Sequence, residues 1–389
     1  MLGERNCVAE QLLLVHANSA IPMKVKRYDY RSQFERFDDF VTAMSTMVID
    51  GHYVLSEEVT EFESAYAAYL QCAFVVGVNT GTDALLCSLK SLDLGPGHEV
   101  VTHANTFNAT VAAVCMAGLR PLLVDADEDS FLIDTGQAIA AITSRTQVLL
   151  PVHLYGKPTP MDELLRESEK RGIYVVEDAA QAHGARLRGR RMGTLGTLGC
   201  FSFHPSKNLA AAGDGGAIAT NRGNLKERLS ELRSLGQAGQ NNHLQVGYNT
   251  KLDSIQAKVL SWKLPSLDRW NEQRREIARQ YRDRLSDLPL KFQSWTEGEE
   301  HVFHLFAIRI VERDALLNHL QSMGVDAVVR YPVPIHLQPA FSHYGWRRGQ
   351  FPVAEVLARE LLCLPMRPNL TISEIDYVAD CVRSFFRGR

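Results

Sequence analysis

The chain is 389 residues long, 45% hydrophobic and 22% charged, which is enough apolar material to bury a large core and to divide into about two domains. A formal net charge of -3 and an isoelectric point near 6.5 leave no global basic field, which argues against nucleic acid or a membrane surface as a partner. Seven cysteines, scattered and odd in number, with no Cys-x-x-Cys pair and no histidine cluster at metal spacing, suit reduced thiols in the cytoplasm better than a disulfide frame or a zinc site.

In chain order, Gln11-Leu-Leu-Leu-Val-His16 followed by Ala17-Asn-Ser-Ala20 has the outline of a signal peptide, but its apolar core is short and bracketed by Glu10 and His16, so export is not expected. No stretch approaches membrane-spanning length. Met1 to Pro22 reads as a loose extension, with order beginning near Met23-Lys-Val-Lys-Arg-Tyr-Asp-Tyr30. The division expected is an extension over 1–27, a large cofactor-binding domain over 28–250 and a smaller C-terminal domain over 251–389. From about residue 55 to 240, β-rich apolar runs alternate with helical patterns. The runs are Phe74–Gly77, Glu99–Thr102, Pro121–Asp125, Val148–Val152, Tyr174–Glu177, Gly199–Phe203 and Ala217–Thr220. Between them lie helices such as Asp83–Leu92, whose Leu85, Leu86, Leu89 and Leu92 share one face. Strands apolar throughout and joined by helical crossovers predict an α/β fold with a mostly parallel central sheet covered by helices on both faces. Beyond Asn249 the pattern changes to a long charged helix over Asp253–Leu288, interrupted at Pro265. A strand at His304–Ile310, a helix at Asp314–Met323, a strand at Val325–Arg330 and a last helix near Ile375–Phe386 complete a smaller α/β unit.

Three segments carry chemistry. Asn79-Thr-Gly-Thr-Asp-Ala84 follows a strand and opens a helix, so the free N–H groups of Gly81 and Thr82 can converge on a phosphate, although taken by itself such a segment is more simply read as a helix cap. Glu177-Asp178 closes an apolar strand, at the end where open α/β sheets place ligands. A carboxylate there would hold a pyridine nitrogen protonated, an opposite charge at contact range shifting a pKa by about 1–3 units. Gln181 follows three residues on, placed to bond a polar group of the same ring, and His183 could support either. Lys207, in Phe201-Ser-Phe-His-Pro-Ser-Lys-Asn-Leu209, has the hydroxyls of Ser202 and Ser206 near it in sequence and Gly213-Asp-Gly-Gly216 just after it. An amine able to form a Schiff base, paired with an acid for a ring nitrogen, is what a pyridoxal phosphate enzyme needs. Neither a Gly-x-Gly-x-x-Gly fingerprint nor a P-loop is present, which lowers the nicotinamide and nucleotide-hydrolase alternatives.

In order, Val76-Gly-Val-Asn-Thr-Gly-Thr-Asp-Ala-Leu85, Thr106-Phe-Asn-Ala-Thr110, Pro151-Val-His-Leu-Tyr-Gly156, Val176-Glu-Asp-Ala-Ala-Gln-Ala-His-Gly184, Phe201–Leu209, Gly213–Ala217, Gly247-Tyr-Asn249 and His336-Leu-Gln-Pro339 resemble the DegT/DnrJ/EryC1/StrS family of pyridoxal phosphate sugar aminotransferases, a fold-type I group, from about Tyr28 to the C-terminus. The resemblance implies pyridoxal 5'-phosphate as cofactor, with pyridoxamine 5'-phosphate as the intermediate form. It implies that Lys207 is the Schiff-base lysine, that Asp178 is the pyridinium partner, that Gln181 lies near the ring hydroxyl and that Phe107 stacks on the ring face. Gly81, Thr82 and Ser202 would hold the phosphate, and Asn249 would reach the phosphate of a neighbouring subunit in a homodimer with shared sites. Family members often carry arginine shortly after that asparagine, whereas Thr250-Lys251 follows here.

The activity implied is transfer of the amino group of L-glutamate to a nucleotide-linked ketosugar in amino-sugar biosynthesis, with no metal. Dehydratases among the relatives replace the lysine with histidine, and a non-catalytic regulatory relative would be expected to lose Lys207 or Asp178; both residues are kept. The segments Lys207–Leu209, Gly213–Gly216 and Tyr331-Pro-Val-Pro-Ile-His-Leu-Gln-Pro339 resemble the 3-ketosugar branch more than the 4-ketosugar branch, which points to C3 of a deoxysugar with Tyr331 and His336 near the substrate, or else packing in the second domain.

Overall fold

The computed structural model describes residues 23–296 and 298–387. Its centre is a seven-stranded sheet of β1 (Phe74–Val78), β2 (Glu99–His103), β3 (Arg120–Val124), β4 (Thr146–Leu149), β5 (Tyr174–Asp178), β6 (Leu198–Ser202) and β7 (Gly216–Thr220). The spatial order is β1-β7-β6-β5-β4-β2-β3, with β7 antiparallel to both its neighbours and every other pair parallel. The expected α/β fold, with its mostly parallel sheet, is therefore what the chain forms.

Adjacent residues of these strands serve opposite faces, as a pleat requires. Val76, Val100, Val148, Val176 and Ile218 enter one apolar cluster, while Val75, Val101, Leu149, Val175 and Ala217 enter the other. Helix α1 is Phe37–Ile49, and α2 (Glu57–Leu70) covers the second cluster with Val59, Phe62, Tyr66 and Leu70. Helix α3 (Gly81–Ser91) covers the first with Leu85, Leu86 and Leu89, followed by Leu92 at its C-cap. Each leucine buried on that stripe contributes about 1.5–3 kcal/mol relative to exposure. Strand β7 begins where it matters most: Gly216 is paired with Ser202 of β6 on one side and Val78 of β1 on the other, directly before the start of α3. A Cβ on Gly216 would lie 2.3 Å from the carbonyl oxygen of Thr80, so the turn into α3 packs there only against a bare backbone.

Helices α4 (Asn108–Met116), α5 (Thr135–Ala140), α6 (Asp162–Arg171) and α7 (Gly223–Leu232) complete the crossovers. Pro265 breaks the next helical stretch as expected, into α8 (Ser254–Lys263) and α9 (Leu267–Leu285). Leu252 to Leu267 pack in the cluster beneath α2, whereas Ile277 to Leu285 join another around a three-stranded antiparallel sheet of β8 (Lys291–Phe292), β9 (Phe306–Arg309) and β10 (Leu361–Leu364). Helix α10 (Arg313–Ser322), then α11 (Pro352–Glu360) and α12 (Ile372–Arg387) finish the chain.

One element differs from expectation. Val325–Arg330 is not a strand: only Val325 and Val328 make isolated bridges, to Val25 and Cys363, before the backbone turns at Tyr331 with φ +54°. The strand that edges β9 is instead Leu361–Leu364, which leaves α11 without a break. Most of the loose extension expected over 1–27 lies outside the described residues; within it, Val25 is buried and exchanges backbone hydrogen bonds with Gly324 and Asp326. Among the described residues no helix is long and apolar enough to cross a membrane.

Candidate active site

The carboxyl ends of β5 and β6, the N-terminus of α3 and the segment around Arg330 enclose a cavity of about 450 Å³. Its walls include Gly81, Thr82, Phe107, Asp178, Gln181, Ser202, Lys207 and Tyr331, so eight of the ten residues singled out from the sequence meet in one place.

The floor comes from β5. Asp178 is 5% exposed; its Oδ2 accepts from Thr110 Oγ1 at 2.8 Å and its Oδ1 from the Ala180 N–H at 3.2 Å. Burial, only partly offset by these bonds and by the Lys207 charge, holds the carboxyl above its ordinary pKa. The preceding residue, Glu177, points elsewhere: it accepts from His153 Nε2 at 3.0 Å and from the N–H groups of Gly193, Leu195 and Gly196 at 2.6–2.8 Å, pinning the loop that enters β6. Gln181 is fixed at both ends, its Oε1 accepting from the Tyr155 N–H at 2.8 Å and its Nε2 donating to the Tyr331 hydroxyl at 3.0 Å.

Lys207 lines the same cavity and is half-buried. Burial pushes its ammonium down to about 8, against the opposing pull of Asp178, and the Arg330 charge adds to the depression. His183, adjacent and fully buried, is lowered to about 3 by burial first and the Lys207 charge second, so its imidazole is neutral.

At the mouth of α3, Thr80 caps the helix by accepting from the Asp83 N–H at 3.0 Å, which leaves the N–H groups of Gly81 and Thr82 in the first turn without intrahelical acceptors. A Cβ on Gly81 would stand 2.5 Å from that of Ser202, so the glycine is what lets this helix start and the Ser202 side chain share one corner. Phe107, 53% exposed, reaches over the cavity with its ring 5.8 Å from that of Tyr331. Pyridoxal 5'-phosphate fits this donor set: a helix N-terminus and a hydroxyl for the phosphate, a buried carboxylate for the ring nitrogen, an amine for the aldehyde and an aromatic face above.

Two of the ten residues lie elsewhere. His336 is buried beside Phe351, its Nε2 bonded to Glu355 Oε1 at 3.0 Å, and does not reach the cavity. Asn249 sits outside this chain's own cavity, accepting from the Lys251 ammonium. Three contributors went unread in the sequence. Thr110 closes the Thr106–Thr110 segment but shows its partner only in three dimensions, Glu177 is hidden behind its neighbour, and Arg330 directly precedes Tyr331 and lines the wall.

Residues 37–383 match the DegT/DnrJ/EryC1/StrS aminotransferase family. The chain belongs to that family. A dTDP-3-amino-3,4,6-trideoxy-alpha-D-glucose transaminase of Streptomyces venezuelae is 41% identical over 364 residues, covering 93% of this chain and 96% of its own. A pleiotropic regulatory protein of Geobacillus stearothermophilus is 39% identical over 370 residues, covering 94% and 99%. Among solved structures, DesV of S. venezuelae, determined with a ketimine intermediate, superposes with a TM-score of 0.90 at 40% identity, covering 93% of this chain and 98% of that one. This DegT/DnrJ/EryC1/StrS aminotransferase thus shares fold and length with an enzyme of nucleotide-sugar amination.

Proposed function

We propose that this aminotransferase uses pyridoxal 5'-phosphate to move the amino group of L-glutamate onto C3 of a nucleotide-linked 3-keto-deoxysugar. The observation that carries the reading is that Lys207 and Asp178 line one cavity beside a helix N-terminus, close enough for each charge to act on the other; the trideoxyglucose transaminase relative supports the choice of carbon.

The cofactor, when bound, supplies the electron sink that stabilises a carbanion next to the transferred nitrogen. The chain supplies the rest. The Gly81 and Thr82 N–H groups and the Ser202 hydroxyl anchor the phosphate, with the positive end of the α3 dipole behind them. Asp178, ionised once a cationic partner stands beside it, keeps the ring nitrogen protonated; Thr110 and the Ala180 N–H fix the carboxylate plane. Gln181 orients the ring through its hydroxyl and Phe107 covers one face. Lys207 would tether the cofactor through its amine and, once that amine is free and neutral, would accept and return the proton that the transfer moves. Tyr331, held by Gln181, borders the space left for the sugar. Asn249 serves the phosphate of the neighbouring subunit, in a cytoplasmic homodimer with shared sites.

An amine attacks an aldehyde only when neutral. With the Lys207 pKa near 8, cofactor-free protein should take up pyridoxal phosphate covalently at a rate that climbs about tenfold per pH unit below 8 and levels above it. Stopped-flow absorbance from pH 6 to 9.5 checks this, and a rate flat across that span would contradict it. The substrate assignment is tested by supplying the holoenzyme with L-glutamate and a panel of 3-keto and 4-keto nucleotide sugars. Amination confined to the 3-keto compounds is expected; preference for the 4-keto compounds would overturn the carbon assignment.

A further inference from the structure

Helix α9 belongs at Leu267 to the cluster beneath α2 and from Ile277 to the cluster around the small sheet, so the turns between these residues join the two. Two buried polar residues on that stretch, Asn271 and Arg274, are three apart and share one face. Both spend their hydrogen bonds on segments that lead to the cavity. The Asn271 Nδ2 donates to the His183 carbonyl at 2.8 Å, and its Oδ1 accepts from Asn208 Nδ2 at 2.9 Å. Asn208 Nδ2 also donates to the Val302 carbonyl at 2.9 Å, and Arg274 Nη1 donates to the Phe303 and Met366 carbonyls at 3.0 and 3.1 Å. A carbonyl oxygen only accepts, so the backbone fixes which way round both amides sit, and the bond between them has one direction. The fit is close, since a Cβ on Gly184 would stand 2.7 Å from Asn271 Nδ2.

We propose that Asn271 is a positioning residue for the Lys207 amine, tying the loop that carries Lys207 to the segment that follows Asp178. This rests on the transaminase reading above and deepens it. Asn208 is the residue directly after Lys207, whose own N–H closes a turn on the His204 carbonyl at 2.8 Å. His183 ends the stretch that leaves Asp178, and that stretch is wound by the Ala179 N–H on the Cys200 carbonyl and the Ala182 N–H on the Ala179 carbonyl, each at 2.9 Å. A shift of one segment against the other therefore has to stretch or break a bond of Asn271. Through Asn208 and Val302 the same amide reaches the part of the chain that brings His304 and Leu305 to the cavity wall. Asn271 does not line the cavity itself, so its effect on the reaction passes through Lys207. Placement on this scale matters, because an error of about 1 Å can cost about 10²-fold in rate.

Asn271→Leu keeps the volume and removes both bonds. With saturating L-glutamate, holoenzyme of this variant should convert to the pyridoxamine form roughly 10- to 100-fold more slowly, while the half-saturating glutamate concentration stays within about threefold of wild type. In the full chain without cofactor, the pH midpoint for covalent uptake of pyridoxal phosphate should rise by about one unit from its value near 8, because an amine that leaves its buried place regains solvent. The charged and titratable groups that act on that amine are Asp178, Arg330, His183, His204 and His304, and the variant replaces none of them. Asn208→Ala breaks the amide pair from the other side and leaves the His183 contact in place, so it should raise the midpoint in the same direction. Combined, the two changes should give less than their sum, as expected of partners in one bond. A thermal midpoint that falls while the uptake midpoint and the saturated rate stay at wild type would overturn the proposal and leave Asn271 a packing residue; effects that simply add would overturn it too. Should Asn271→Leu fail to fold, the uptake midpoint of Asn208→Ala decides alone. If wild-type protein takes up no pyridoxal phosphate or reacts with no amino donor, the transaminase reading fails instead.

Discussion

Lys207→Ala protein is expected to lose at least about 10³-fold in turnover with L-glutamate, because the proposed mechanism has one side chain both tether the cofactor and carry the proton that the transfer moves. The structural cost should be small, since the side chain lines the cavity instead of filling a core. Circular dichroism and the thermal midpoint of the cofactor-free protein should therefore stay close to wild type. After borohydride treatment, mass spectrometry should find the cofactor's mass on the wild-type peptide containing Lys207 and none on the variant. Turnover within tenfold of wild type would remove Lys207 from this role.

Asp178→Asn should cost roughly 10- to 1000-fold in turnover, the range given by losing a charge that shifts the ring nitrogen by about 1–3 pKa units. The amide is nearly isosteric, can still accept from the Ala180 N–H and can donate to the Thr110 hydroxyl, so cofactor should still bind. Stability gives an independent readout. In the cofactor-free chain the Asp178 carboxyl is held above its ordinary pKa, so its contribution is favourable while protonated and fades as pH rises through the folded-state value. At neutral pH the asparagine should thus leave the cofactor-free thermal midpoint unchanged or raise it, while reducing the extra stabilisation that cofactor confers. A variant with full activity, or one destabilised only without cofactor, would contradict the pairing.

The strands of the large sheet were legible because each carries a short apolar stretch that is buried, as in Val100-Val101, Leu123-Val124 and Val175-Val176, and that pattern marks a strand even where polar residues such as Glu99 and Thr146 share it. The small sheet was harder. Val325-Asp-Ala-Val-Val329 has strand-forming residues, yet it makes only isolated bridges, to Val25 and Cys363, while Leu361-Leu-Cys-Leu364 continues the apolar pattern of α11 and carries no turn residue to announce the change. Tertiary pairing decided both. At the site, Gly81, Asp178 and Lys207 stand in segments whose order along the chain is informative. Arg330 was invisible for a physical reason: an arginine in sequence reads as solvated, and only the enclosure of its guanidinium without an acid shows otherwise. His336, in an equally suggestive segment, turns its ring toward Glu355 and Phe351.

The divergence of Glu177 and Asp178 bears on how β5 can evolve. Neighbours on a pleat face opposite ways, so one acid clamps the Gly193–Gly196 loop while the other lines the cavity. Deleting or inserting one residue between Tyr174 and Asp178 would exchange their places, swinging the longer side chain into the cavity and leaving three amides of the loop facing a side chain too short to reach them. Length drift should therefore be tolerated in the surface loops of this enzyme and barred from these five positions, however freely their hydrophobic identities are traded.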